Sequence, residues 1–219
     1  MKKRTKIIII RHGQSEGNAT RLVCGHADVD LTELGYSQAN LAAERLKSVK
    51  MDAIYSSDLI RAYNTALPHG KMRNLVVNRS KKLREVDVGL WTNRYIDDII
   101  EEWGREEYQN AWLGGFGTYK FPSGEFIPDA ANRFYNEIVD ICNKNIGKTV
   151  LIVSHGAVIR AFWSKILGIK WENIVNELPT PANASYSVAY YDGEKIIADS
   201  YSNTDHLVSD NCFAPVTIV

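Results

Sequence analysis

The chain holds 219 residues, 45% hydrophobic and 24% charged, enough to bury a sizeable core in the manner of an ordinary soluble globular protein. Its 26 basic and 26 acidic side chains cancel, so bulk charge offers nothing to nucleic acid or to an anionic membrane, and affinity for an anion must come from a local cluster. The apolar run after the first lysines is too short for a secretory leader, no run approaches a membrane span, and Cys24, Cys142 and Cys212 show no metal-ligand spacing, which reads as a cytoplasmic protein with reduced thiols.

The first element is the run Ile7 to Ile10, broken off by Arg11, His12 and Gly13. Unbroken isoleucine predicts a strand covered on both faces, as in a parallel sheet flanked by helices. Ligand sites in such sheets lie just beyond the carboxyl ends of the strands. Taken alone, Arg-His-Gly is equally well a surface turn with two basic residues. Thr32 is a helix N-cap, and the helix it opens runs to about Val49. A short strand, Ala53 to Tyr55, ends in serines able to cap the next helix, which Pro68 and Gly70 are expected to stop. A third strand is expected at Leu75 to Val77.

The stretch from Trp91 to Phe126 is less regular and holds nine of the chain's 22 aromatic residues. It reads as a lid-like insertion, its aromatics forming either its own small core or a substrate box. Asp97, Asp98, Glu101 and Glu102 fall on one helical face, with Ile96, Ile99, Ile100 and Trp103 opposite, a solvated face over a packed one. A helix from Asp129 to Cys142 leads into TVLIVSHG, a second apolar run ending in histidine and glycine, and a helix from Ala157 to Leu167 closes at Gly168. The last elements form a hairpin turning at Asp192-Gly193. Strands alternating with helices over one continuous domain, residues 1–219, predict an α/β layer fold.

If the strands before His12 and His155 are parallel and central, both histidines stand on one rim. Arg61 lies on a helix within reach of that rim, and Glu85 follows a further apolar segment. Two imidazoles, two guanidiniums, the Asn18 amide and a carboxylate suit phosphoryl transfer. Arginine forks match non-bridging phosphate oxygens, a neutral imidazole can attack phosphorus, and a carboxylic acid can protonate the departing alkoxide. Gly13 and Gly156, beside the histidines, allow main-chain groups to approach a ligand. Neither histidine has the helix-spaced or carboxylate neighbour that a metal hydrolase needs. His26, His69 and His206 read as structural or exposed.

RHGQSEGN, GHADVDLTELG, SSDLIRAYNTA, LREVDVGLW and VSHGAVIRAF, in this order, resemble the successive motifs of the histidine phosphatase superfamily, the phosphoglycerate mutase-like group. The resemblance implies a three-layer α/β/α sandwich with a mostly parallel central sheet. It implies His12 as the nucleophile that is phosphorylated, Glu85 as proton donor, and Arg11, Arg61, His155 and Asn18 as the phosphate pocket. Gly156 lies in the same motif as His155. Cys24-Gly25 falls where the family places a small residue and a glycine beside the substrate; Gly25 offers a main-chain contact, and the Cys24 thiol is a poor donor. No cofactor and no metal are implied, and the partner is a small phosphorylated metabolite; a homodimer stays open.

Departures point within the group to a phosphatase hydrolysing small-metabolite monoesters, with a mutase or a weakly catalytic phosphate- or partner-binding module as alternatives. Ile96 stands where the mutases carry a lysine, Ala157 where they carry asparagine, and the 91–126 segment has no adjacent arginines. With only Arg94, Arg105 and Lys120 there, a second anion on the substrate is expected to find little positive charge. Thr92 and Asn93 replace the glutamate and glycine usual after the tryptophan in phosphatase-like members, which leaves the hinge of the lid open.

Overall fold

The computed structural model describes residues 3–207; Cys212 lies outside them. Strand β1 (Thr5–Arg11) is followed by a short helix α1 (Glu16–Thr20), strand β2 (Leu22–Val23), helix α2 (Glu33–Arg45), β3 (Ala53–Ser57), α3 (Ile60–Arg73) and β4 (Val77–Ser80). Then come β5 (Arg94–Tyr95), α4 (Ile96–Trp103), α5 (Arg105–Gln109), α6 (Ile127–Lys144), β6 (Thr149–Ser154), α7 (Gly156–Leu167), α8 (Ile174–Glu177), β7 (Tyr186–Tyr191) and β8 (Ile196–Asn203). The main sheet has the order β4-β3-β6-β1-β7-β8. Its first four strands run parallel, and β7 joins β1 antiparallel.

The isoleucine run behaves as its composition demands. Ile7 and Ile9 enter one core with Phe134 and Ile138 of α6 and Phe162 of α7, whereas Ile8 and Ile10 enter another with Ala42 of α2 and Ala62 and Ala66 of α3. Alternate side chains of one strand thus face two helical layers, which makes the sandwich three-layered. Among the described residues, no helix is long and apolar enough to cross a membrane.

Several boundaries differ from expectation. Helix α3 continues through Pro68 and Gly70 to Arg73 and ends at Asn74 in the left-handed conformation. Proline forfeits one helical hydrogen bond, but Ala66, His69 and Gly70 are buried, and a Cβ at Gly70 would lie 2.8 Å from the Leu75 oxygen. Packing therefore carries the helix past both breakers. Strand β4 accordingly starts two residues later than expected. The Ser57 hydroxyl accepts the Leu59 N–H, and the first N–H of α3, from Ile60, goes to Asp28 instead. The hairpin closes over four residues, the Asp192 carboxylate accepting from the Glu194 and Lys195 N–H groups.

The 91–126 segment folds largely about Trp91, which is fully buried with the rings of Trp103, Tyr108, Tyr119 and Phe121 centred 5.5–6.1 Å away. Helix α4 exposes its four acids and turns Ile99 inward, as its pattern requires. Asn93 adopts φ 61°, a conformation that asparagine tolerates better than most residues, so the segment enters its turn without the family's glycine. Strand β5 pairs with β2, tying the segment to the loop that carries Cys24 and Gly25.

Candidate active site

Parallel pairing of β1 with β6 sets Ile10 beside Val153 and Arg11 beside Ser154. The next residue on each strand is a histidine, and the His12 and His155 rings lie 5.2 Å apart, inclined at 63°. Sheet register alone thus builds a two-histidine rim. The His12 Nδ1 lies 2.6 Å from the Gly13 oxygen. A carbonyl only accepts, so Nδ1 carries the proton and Nε2 keeps its lone pair. Burial, with the charges of Arg61 and Arg11 beside it, holds His12 well below the ordinary histidine range. His155 is fully buried, neither ring nitrogen has a hydrogen-bond partner among the described residues, and burial followed by the charge of Arg61 lowers it in the same way. Both rings are therefore neutral at neutral pH.

A cavity of about 210 Å³ opens over this rim, lined by Arg11, His12, Asn18, Cys24, Gly25, Arg61, Glu85 and Gly156 among others. His155 is fully buried, its ring edge-to-face with that of His12. Arg11 donates from Nη1 to the Pro181 oxygen at 2.6 Å, while its buried Nε has no partner among the described residues. Arg61 donates to the Ala27 and Gly25 oxygens at 2.7 and 2.8 Å. Each guanidinium is thus aimed by carbonyls that leave other N–H groups unspent.

The carboxylate of Glu85 accepts three main-chain N–H groups: Val86 and Val158 on Oε1, at 2.9 and 2.8 Å, and Ala157 on Oε2 at 3.1 Å. A carboxylate offers about four lone-pair positions, so one remains on Oε2 for a proton or a ligand. Two of the three donors belong to the first turn of α7, the helix that follows His155. The acid is thereby keyed to the same strand end as the histidine. Asp87 instead accepts the Gly89 N–H at 2.9 Å and caps a turn. Arg133 and Glu125 brace this loop: Arg133 donates to the carbonyls of Lys82, Arg84 and Glu85, and Glu125 accepts the Asp87 N–H.

Asn18 lines the cavity, but its Oδ1 is occupied by Ser15 N–H and hydroxyl and by Asn183, leaving only its N–H groups for a ligand. The Cys24 thiol is half-buried beside the cavity, and burial pushes its pKa up, so it stays a neutral thiol. Gly25 sits at φ 48°, and a Cβ there would lie 2.5 Å from Val88.

The glycines after the histidines also serve packing. A Cβ on Gly13 would meet the Gly35 oxygen of α2 at 2.4 Å, and one on Gly156 would press the Arg11 guanidinium at 3.0–3.1 Å.

Sequence reasoning missed several contributors. Tyr108, Trp112 and Phe116 line the cavity from the 91–126 segment, so these aromatics are both a core and a wall. Thr65 accepts the Gly13 N–H and anchors α3 to the end of β1. His26 is structural, as expected, and donates to the Glu85 main-chain oxygen at 2.8 Å. Arg160 lines the cavity from α7, so one cation does stand away from the histidines. Its one signal was a charge inside the apolar stretch VIRAFW.

The family model of the histidine phosphatase superfamily (branch 1) matches residues 7–204. The chain belongs to the histidine phosphatase superfamily. It is 31% identical over 202 residues to phosphoserine phosphatase 1 of Hydrogenobacter thermophilus, covering 92% of this chain and 94% of that one. It is 34% identical over 164 residues to a probable phosphoglycerate mutase of Photorhabdus laumondii, 75% of each chain. Among solved structures, a mycobacterial glucosyl-3-phosphoglycerate phosphatase superposes with a TM-score of 0.82 at 28% identity, covering 91% of this chain and 99% of that one. A phosphoserine phosphatase from Entamoeba histolytica gives 0.80 at 27%, covering 93% and 100%. Histidine phosphatases of this superfamily with closely similar folds therefore include small-metabolite phosphatases.

Proposed function

We propose that the protein hydrolyses phosphomonoesters of small metabolites through a phosphohistidine on His12, with Glu85 as general acid and base. The observation that carries this reading is the unprotonated Nε2 of a buried neutral His12 facing a cavity that two guanidiniums enter. Nε2 attacks phosphorus, the ester P–O bond breaks, and its electron pair leaves on the alkoxide, which takes the proton from Oε2 of Glu85. Water then attacks the phosphorus of the P–N bond, gives its proton to Glu85, and returns His12 with release of phosphate. Arg11 and Arg61 offset the charge on the equatorial oxygens, and His155, whose ring nitrogens have no partner among the described residues, supplies a further donor once one of them meets the phosphoryl group.

Several relatives support hydrolysis by name, and the aromatic rather than basic wall of the cavity fits a monoester. Acid-quenched protein incubated with a substrate labelled at phosphorus should hold acid-labile, base-stable label, and His12→Ala should hold none and turn over more slowly by about 10⁴-fold or more. Label on another residue, or efficient interconversion of 2- and 3-phosphoglycerate in place of phosphate release, would overturn the assignment.

A further inference from the structure

Glu85 is tied to the sheet only indirectly. Arg11 and His12 stand at the end of β1, His155 at the end of β6 and Arg61 on α3, whereas residues 84–88 belong to no helix or strand. Such a segment has no ladder to fix its backbone, yet a general acid must hold its oxygen within hydrogen-bond reach of the departing one. The carboxylate of Glu85 is held by α7 and by its own loop, through the three N–H groups described above. Its main chain is held from α6, by Arg133.

A guanidinium carries five N–H donors, and Arg133 spends all of them here. Nη1 donates to the Lys82 and Arg84 oxygens at 2.8 and 3.1 Å, and Nη2 to the Glu85 oxygen at 3.0 Å. Nε and Nη2 also fork onto the two carboxylate oxygens of Glu125, each at 2.8 Å. Glu125 completes the clamp: its Oε2 accepts the Asp87 N–H at 2.9 Å, and its own N–H donates to the Asp87 oxygen at 2.8 Å. The two side chains are 22% and 25% exposed, so water screens them less than an open surface pair. Neither is among the residues that line the cavity.

We propose that Arg133 and Glu125 are positioning residues for the general acid, fixing the backbone of residues 82–87 so that Oε2 of Glu85 meets the leaving oxygen of the ester. The proposal rests on the phosphatase reading, with Glu85 as the acid. The pair supplies what a neighbouring strand would otherwise supply: acceptors and donors in fixed places for a backbone that has no ladder. A planar fork suits this task because it sets direction as well as distance, and the compact ammonium of a lysine cannot reach three carbonyls and a carboxylate together. A displacement of about 1 Å at a reacting group can cost on the order of 10²-fold in rate. Loss of the clamp therefore falls on esters whose departing oxygen needs the proton, and spares those whose leaving group departs unaided.

The test measures kcat/KM, which reports the step that breaks the ester bond, for nitrophenyl phosphate and for whichever of phosphoserine, 3-phosphoglycerate and glycerol 3-phosphate is hydrolysed fastest. Arg133→Lys should lower the value for the alkyl ester by roughly ten- to hundredfold, with a much smaller loss for nitrophenyl phosphate. Glu125→Gln keeps an oxygen for the Asp87 N–H and should show the same selectivity at smaller size. In a Glu85→Gln background, Arg133→Lys should add little to the selective loss, because both changes act on one proton. A merely structural role would lower the folded fraction, followed by circular dichroism, and cut both esters in the same proportion. Equal losses on the two esters, no loss in either variant, or a full further selective loss on top of Glu85→Gln overturns the clamp and leaves the phosphatase reading standing. If Glu85→Gln itself shows no selectivity, or none of the three alkyl esters is hydrolysed, the acid assignment falls and the positioning role falls with it.

Discussion

The cavity has two walls made by different means. On the histidine side, Arg11, His12 and His155 are placed by backbone pairing: two parallel strands in fixed register end at the same level. On the 91–126 side, Tyr108, Trp112 and Phe116 are placed by aromatic rings packed on one another and on Trp91. A hydrogen-bonded sheet fixes positions to a fraction of an ångström and tolerates no slippage, because a shift of one residue turns every side chain to the other face. Side-chain packing allows repacking at fixed volume. The sheet side therefore suits the invariant part of the chemistry, and the aromatic side the part that changes with the substrate.

After loss of His12 itself, the largest expected effect breaks the sheet side at its acid. Glu85→Gln keeps Oε1 as acceptor for Val86 and Val158 but removes the proton. Hydrolysis of alkyl phosphates should fall by roughly 10²–10⁴-fold, with a much smaller loss for nitrophenyl phosphate, whose leaving group departs unaided. Asp87→Asn keeps the cap on Gly89 and should be mild with both esters. Equal losses on the two esters in Glu85→Gln would mean that Glu85 only positions substrate.

The next effect breaks the aromatic side. Trp91→Ala should lower the unfolding free energy by about 3–5 kcal/mol, as for other buried aromatic truncations. Turnover of nitrophenyl phosphate by the protein that remains folded should change much less. Denaturant titration showing a loss below about 1 kcal/mol would mean that the segment does not pack round Trp91.

The smallest effect separates titration of the site from acid unfolding. His69 lies in α3, fully buried with neither ring nitrogen partnered among the described residues, and burial, then Arg73 and His206, push it down to about 3. The unfolded chain takes up that proton near the ordinary value of 6.5, so the native state loses ground as pH falls from 6.5 toward 3 and is unaffected above. His69→Leu should flatten the dependence of unfolding free energy on pH by about 1.4 kcal/mol per pH unit inside that window. An unchanged slope would mean that the native ring titrates near its ordinary value. His12 and His155, lowered likewise, should keep the acid limb of turnover below pH 6.5 in this variant.

The sequence by itself determined the layers and the two-histidine rim. Unbroken isoleucine and TVLIV read as strands buried on both faces, and His-Gly after each placed two imidazoles at the strand ends once those strands paired in parallel. Arg61 and Glu85 were legible through the motifs around them, because each motif carries a chemical demand as well as a fold. Only the tertiary structure decided the rest. Pro68 and Gly70 failed to stop α3 because burial against the sheet outweighs a lost local hydrogen bond, and local propensity cannot weigh that. The free position on Glu85 depends on N–H groups that lie more than seventy residues away in sequence. Arg160 read as one charge in an apolar helix, and its place on the cavity wall depends on carbonyls of a separate loop and on a ring from the 91–126 segment. Sequence patterns report what a residue does with its near neighbours, whereas a cavity wall is assembled from elements that meet only when the chain has folded.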